Sequence, residues 1–152
     1  MEAVIFMGVQ ASGKSTFCRE QFFDTHIRIN LDMLKTRHRE RLLVRACLEA
    51  KQPFVVDNTN PLPEDRQRYI EPAKQSNFRI VGYYFQSSLE ECQRRNQMRL
   101  SKQIVPTVAL ISTYKKLIFP KFQEGFDRLY TVKIAPQNRF NVEKWHHEIQ
   151  RT

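Results

Sequence analysis

The sequence predicts an α/β fold: a three-layer sandwich with a mostly parallel central sheet and a helical lid. Two observations carry this. Short apolar runs alternate with segments of helical periodicity along the whole chain, the pattern of a parallel sheet covered on both faces. The first apolar run, Ala3-Val4-Ile5-Phe6-Met7, leads directly into Gly8-Val9-Gln10-Ala11-Ser12-Gly13-Lys14-Ser15-Thr16. That segment has the form G-x-x-x-x-G-K-[ST] (Walker A) in its required context, a buried strand before and a helix after. Together they specify a P-loop NTPase-type architecture in a single domain, residues 1–152, a length that supports one core.

The elements follow in order. Ala3–Met7 is the first strand, and the first helix runs from about Lys14 to Phe23. Ile27–Asn30 is a short second strand. A helix then extends to about Ala50, with Leu42, Leu43, Ala46, Cys47 and Ala50 at helical spacing on one face. Pro53–Asp57 has the character of a fully buried third strand lying beside the first. Glu64–Ser76 is helical in pattern, with Pro72 expected to kink or end it. Phe78–Phe85 is the fourth strand. Ser88-Leu89-Glu90-Glu91 has the form of a capping box opening the next helix. Helical character breaks at Ile104-Val105 and resumes from Pro106 to Leu117, so that residues 88–117 make up the lid. Leu129–Ile134 is a fifth strand and Val142–Ile149 a closing helix. There is no repeat, low-complexity tract or linker.

Composition narrows the function classes. Hydrophobic residues at 41% and charged residues at 27% fit a soluble globular protein. No apolar stretch approaches the roughly 20 residues of a membrane span, and the N-terminal apolar run ends in the phosphate loop, so it is a strand and not a signal peptide. Cys18, Cys47 and Cys92 are odd in number, widely spaced and without metal-type neighbours, as expected of reduced, buried thiols in a cytoplasmic protein. His26, His38, His146 and His147 show no metal-ligand pattern. Trp145 and most phenylalanines read as core, and residues 119–126 as an aromatic loop packed on the sheet rather than a binding rim. The net charge of +9 favours a polyanionic partner.

The chemistry begins in the loop. Gly8 and Gly13 let the backbone wrap around a polyphosphate, so that the amides of Gly8 to Thr16 can meet its oxygens. The following helix adds its positive end. Lys14 can reach the β- and γ-phosphates of ATP, and the Ser15 hydroxyl can ligate Mg²⁺. In a parallel sheet, ligands sit at the carboxyl ends of the strands. Asn30 and Asp32 follow the second strand there, and Asp57, Asn58, Thr59 and Asn60 follow the third. Asp32 is either a helix N-cap, a general base for an attacking hydroxyl, or both. Asp57 can hold a Mg²⁺-bound water or position an acceptor. Arg95 and Arg99, four apart with Arg94 beside them, form either a solvated helix face or a lid face that neutralises phosphate charge.

These residues resemble the kinase module of the 5′-OH polynucleotide kinases. The resemblance covers most of the chain. It rests on Gly8–Thr16, Ile29-Asn30-Leu31-Asp32, and Val56-Asp57-Asn58-Thr59-Asn60-Pro61 with Arg66 following. It continues through Arg95-Asn96-Gln97-Met98-Arg99, Val105-Pro106, Tyr114-Lys115-Lys116 and Glu124-Gly125-Phe126. It implies ATP as phosphate donor with Mg²⁺, and a nucleic acid, RNA or DNA, with a 5′-OH end as acceptor. Asp32 then matches the general base, Arg95 and Arg99 the lid arginines that clamp the donor phosphates, and Lys14 and Ser15 keep their loop roles. The acceptor side falls to Lys35, Arg37, Asp57, Asn58, Asn60 and Arg66. Lys35 stands where the family often has arginine, which keeps the charge but loses the bidentate fork. A phosphatase or ligase module, common in the family, is absent from these residues, so healing of 3′ ends would fall to a separate protein. A small-molecule kinase and a non-enzymatic nucleotide switch are the alternatives.

Overall fold

In the computed structural model, which describes residues 1–146, the first strand lies inside the sheet because every residue from Ala3 to Met7 is apolar and fully buried. This strand, β1 (Glu2–Met7), pairs on one side with β3 (Phe54–Val56) and on the other with β4 (Arg79–Phe85). With β2 (Ile27–Ile29), β5 (Arg128–Ala135) and β6 (Arg139–Lys144), the order across the sheet is β2–β3–β1–β4–β5–β6. All pairings are parallel except β5 with β6. The expected adjacency of the first and third strands is met.

Alternation along β1 sends side chains to two cores. Val4 and Phe6 meet Phe17, Cys18 and Phe22 of α1 (Lys14–Phe22). There Phe6 is ringed by Phe17, Phe22, Tyr83 and Phe85 at centroid distances of 4.9 to 5.9 Å, tilted and edge-on contacts that add to simple burial. Ala3, Ile5 and Met7 face the other core, built with α3 (Arg37–Ala50), α4 (Pro63–Gln75), α5 (Leu89–Gln97) and α6 (Thr107–Lys116). The lid helices thus belong to the main core, since Cys92 of α5, Leu110 of α6 and Leu117 after it lie in that same cluster. Within β4, Gly82 allows close approach: a Cβ there would lie 2.6 Å from Leu129 and 2.7 Å from Phe126. Phe119 and Trp145 pack edge-on against Tyr84, so the aromatic segment does lie against the sheet. Cys18, Cys47 and Cys92 are buried free thiols; burial pushes Cys18 up to about 11 and raises the other two, which keeps them protonated and unreactive. No helix among the described residues is long and apolar enough to cross a membrane.

Three element expectations need correction. Val142 to Lys144 belong to strand β6 and not to a closing helix; residues 147–149 of that expectation lie outside the described residues. The chain turns at Gln137 and Asn138, both at positive φ, and returns so that Val142 faces Val132 and Phe140 faces Ile134. Their period of two is a strand signal, muted because most of this edge strand is exposed. The helix expected from the second strand to Ala50 is divided into α2 (Leu31–Leu34) and α3 by Lys35 at φ 75, after which the Thr36 side chain caps α3 by accepting from the Arg39 N–H. Pro72 does not end α4, which runs on to Gln75; it sits in the last turn, where only the bond to the Arg68 carbonyl is forfeited.

A buried arginine fastens the lower end of the lid. Arg66 of α4 is 0% exposed and donates from Nη1 to both Glu124 carboxylate oxygens at 3.0 Å. Its Nε donates to the Asn60 carbonyl at 3.1 Å and Nη2 to the carbonyls of Pro61 and Ile118. Arg66→Ala removes the counter-charge of the half-buried Glu124 carboxylate and a donor from each of three carbonyls. The expected loss is about 3–5 kcal/mol of unfolding free energy, read as a fall in the urea midpoint. Lys74→Ala, which removes an exposed pair with Asp127 at 3.7 Å, is expected to cost about 1 kcal/mol or less.

Candidate active site

The phosphate loop is suspended from the end of β3. The Gly8 N–H donates to the Thr59 carbonyl at 3.0 Å, and the Asn60 side chain donates to the Phe6 carbonyl at 2.8 Å. Inside the loop the backbone enters the left-handed region at Ala11 (φ 62) and Gly13 (φ 99). Gly13 has no room for a side chain in any case, with Ile134 and Phe140 at 3.0 Å from a Cβ position. Lys14 folds back over the loop, its ammonium donating to the carbonyls of Gly8 (3.0 Å) and Val9 (2.7 Å). Burial lowers its pKa to about 8, opposed by the nearby Asp57 carboxylate. The Gln10 side-chain amide donates to Thr113 Oγ1 at 3.1 Å, which joins the loop to α6.

Beside the loop lies a corner of hard oxygen atoms. Ser15 Oγ donates to Asp57 Oδ2 at 3.0 Å, and Arg28 Nε donates to the same oxygen at 2.8 Å. Asp57 is buried. A hydroxyl and a buried carboxylate suit Mg²⁺, which prefers oxygen ligands and keeps water and substrate phosphates in its shell. Two protein oxygens leave the rest of a Mg²⁺ shell to water and nucleotide phosphate, so Ser15 and Asp57 fit a metal that arrives with a nucleotide.

Asn30, not Asp32, caps α2: its Oδ1 accepts from the Met33 N–H at 2.9 Å, and its Nδ2 donates to the Asp57 carbonyl at 2.7 Å. Asp32 stands one residue into the helix, exposed, with no side-chain hydrogen bond or ion pair among the described residues. It lines the same cleft as Lys14, Ser15, Arg95 and Arg99.

The acceptor set predicted from sequence comes apart. Arg66 and Asn60 are buried structural groups, wired to Glu124 and to Phe6 as above. Asn58 is likewise engaged: its Oδ1 accepts from the Leu31 N–H at 2.9 Å while its Nδ2 donates to Glu40 and Tyr69. Asp57 lines the cleft and is hydrogen-bonded to Ser15 and Arg28. These polar residues face inward because the end of β3 must satisfy the backbone of two neighbouring loops. Arg37 lines the cleft but is paired with Glu40 at 2.8 Å. Lys35 lines it too, exposed and without a partner among the described residues.

The lid arginines also differ in detail. Arg95 lies in the last turn of α5, with Nη1 donating to Ser87 Oγ at 3.1 Å and Nη2 near Glu91 at 3.4 Å. The helix ends at Gln97 with Met98 as its C-cap, so Arg99 lies beyond it and the two do not share a helical face. Both nonetheless line the cleft, with Arg94 and Lys102. Arg99 Nη1 is screened from solvent and has no hydrogen-bond partner among the described residues; an anion would satisfy it. The turn between the lid helices is held by Asn96, whose side chain accepts from the Val105 N–H (3.1 Å) and donates to its carbonyl (2.7 Å). Neither this clamp nor Arg28 was singled out from sequence. The only signal for Arg28 is its place between two isoleucines, which turns it to the opposite face of β2.

The sequence profile of a family described as an AAA domain matches residues 35–110, half of the chain. Over 138 residues the chain is 31% identical to a bifunctional polynucleotide phosphatase/kinase of Schizosaccharomyces pombe, covering 86% of this chain and 33% of that protein. The chain thus spans about a third of the length of the curated relatives it matches. Among solved structures it resembles Kti12 of Chaetomium thermophilum in complex with ADP-AlF3, with a TM-score of 0.66, 14% identity, and coverage of 86% of this chain and 88% of that one. It also resembles a gluconokinase from Sinorhizobium meliloti 1021, with a TM-score of 0.59, 21% identity, and coverage of 88% and 83%. These two likenesses establish the fold.

The position of Lys14 predicts a proton linkage. Free Lys14 titrates near pH 8, and a polyphosphate beside it favours the charged form and raises that value. Binding above about pH 8 therefore takes up a proton. The association constant for ATP is expected to be flat below about pH 7 and to fall through pH 8 to 10, by at most about tenfold per pH unit. Calorimetry in buffers of different ionisation enthalpy counts the proton, and Lys14→Met is expected to abolish the slope.

Proposed function

The chain belongs to the AAA-domain family, and we propose that it is an ATP-dependent kinase that transfers the γ-phosphoryl group, with Mg²⁺, to the 5′-hydroxyl end of RNA or DNA. The observation that carries this reading is Asp32: a carboxylate free of capping duty and of ion pairs, in the same cleft as Lys14 and the lid arginines. A nucleotide binder has no need of such a group, whereas phosphoryl transfer needs a base within reach of the attacking hydroxyl. In the reaction the acceptor hydroxyl gives its proton to Asp32 as its oxygen bonds to the γ-phosphorus, and the bond from that phosphorus to the β–γ bridging oxygen breaks, releasing ADP. Lys14 meets the β- and γ-oxygens by leaving its loop carbonyls. Arg95 and Arg99 carry the charge that spreads over the γ-phosphoryl. Mg²⁺, held by Ser15 and through water by Asp57, would neutralise charge on the β- and γ-oxygens.

A nucleic-acid acceptor is supported by the alignment with polynucleotide phosphatase/kinases over most of the chain and by the net charge of +9. Lys35, Arg37 and Lys116 lie along the cleft and are the side chains offered to acceptor phosphates.

The test is Asp32→Asn assayed on a 5′-OH oligonucleotide beside a panel of sugars and nucleosides. Because Asn30 caps α2, the variant is expected to keep its melting temperature and ATP affinity while losing turnover by about a hundredfold or more. Near-normal turnover removes the base assignment, and preferential phosphorylation of a panel compound moves the acceptor to small molecules. With wild-type protein, the KM for the oligonucleotide is expected to rise steeply between low and physiological salt as counterions compete for the contacted phosphates; a flat KM contradicts the nucleic-acid acceptor.

A further inference from the structure

Arg28, in direct contact with Ser15 and Asp57, has no part in the reaction above. In β2, Arg28 is paired in register with Val55, whose side chain belongs to the core under α1, so Arg28 emerges on the α1 side, next to the phosphate loop. Its Nε donates to Asp57 Oδ2 at 2.8 Å and its Nη2 to Ser15 Oγ at 3.2 Å. These are the two oxygen donors of the metal corner. Since Ser15 Oγ also donates to Asp57 Oδ2, one carboxylate oxygen accepts from both side chains.

The partners differ in freedom. The Asp57 side chain is 1% exposed, whereas that of Arg28 is 37% exposed. Arg28 therefore reaches inward from solvent and is able to swing away, while Asp57 is fixed. A buried carboxylate without a counter-charge is costly; Lys14 is close enough for its charge to be felt, but its ammonium is hydrogen-bonded to the Gly8 and Val9 carbonyls and Ser12, so Arg28 is the cation in direct contact with Asp57. The planar guanidinium is suited to bridge two oxygens at once, which an ammonium is not. A divalent cation at Ser15 and Asp57 competes for the same lone pairs and repels the guanidinium at this range.

Resting on the nucleotide-site reading above, we propose that Arg28 is the built-in counter-cation of the metal corner: it neutralises Asp57 before nucleotide binds, is displaced from Ser15 and Asp57 by the incoming Mg²⁺–nucleotide, and so sets the magnesium concentration at which nucleotide is held. It is a positioning and threshold residue, not a catalytic one.

The measurement is binding of a fluorescent ADP analogue to the whole protein at fixed nucleotide and increasing MgCl2, with no acceptor present. In Arg28→Gln the half-saturating Mg²⁺ concentration is expected to fall by about fivefold, the scale of one half-exposed ion pair. The metal-free melting temperature should drop, and Mg²⁺ with ADP should restore a larger share of it than in wild type. Arg28→Lys keeps the charge but cannot span both oxygens, and is expected to shift the same way by less; it decides the matter if Arg28→Gln does not fold. An unchanged half-saturating Mg²⁺ in the folded variants overturns the proposal. A raised value overturns it too, since it would place Arg28 on the nucleotide itself. A wild-type protein that binds no ADP at any Mg²⁺ removes the nucleotide site and this inference together, whereas inactivity toward oligonucleotides leaves it untouched.

Discussion

Four polar residues after a three-residue strand hold the whole carboxyl edge of the sheet in place. Through Asp57 the chain meets Ser15 and Arg28, through Asn58 the first amide of α2, through the Thr59 carbonyl the first amide of the phosphate loop, and through Asn60 the last turn of β1 into that loop. The strand itself is short and wholly apolar, so these bonds, made at the boundary of the core where solvent competes little, fix the spacing between loop and α2. That spacing is the distance between the group that grips a donor and the carboxylate offered to an acceptor. Arg66 extends the same scheme by tying the Asn60 and Pro61 carbonyls to Glu124.

The cleft is a place where cations are made to stand close together. Lys14, Arg28, Arg94, Arg95, Arg99 and Lys102 line it against few carboxylates. The lowered Lys14 pKa reflects burial first, opposed by the Asp57 carboxylate, with the charge of Arg99 a smaller contribution in the same direction as burial. A polyphosphate in the cleft would give these cations an anionic partner in a site shaped to hold it.

Much of this was legible in the sequence because the signals are local. Gly8, Gly13, Lys14 and Ser15 act at fixed spacing within one loop, and the inner strands are continuous apolar runs. Asp32 was correctly placed at a strand end, although which residue caps the helix was not readable, since Asn30 and Asp32 are equally able caps. The errors arise where a polar side chain has two directions open to it. Asn58, Asn60 and Arg66 read as acceptor contacts because they follow apolar strands, but their partners at Glu40, Phe6 and Glu124 lie from 18 to 58 residues away and leave no trace in local pattern. β6 was missed because an exposed edge strand keeps only Phe140 and Val142 as its apolar signature.

The packing of Cys92, Leu110 and Leu117 into the same cluster as β1 has a consequence for how the lid can behave in time. A cover attached by a hinge opens by local fluctuation, and its amides exchange with solvent far sooner than those of the sheet. Here α5 and α6 each place a side chain, Cys92 and Leu110, in the same apolar cluster as β1, so opening them would expose core surface. Moving these helices onto another scaffold would therefore require an apolar partner for Cys92, Leu110 and Leu117.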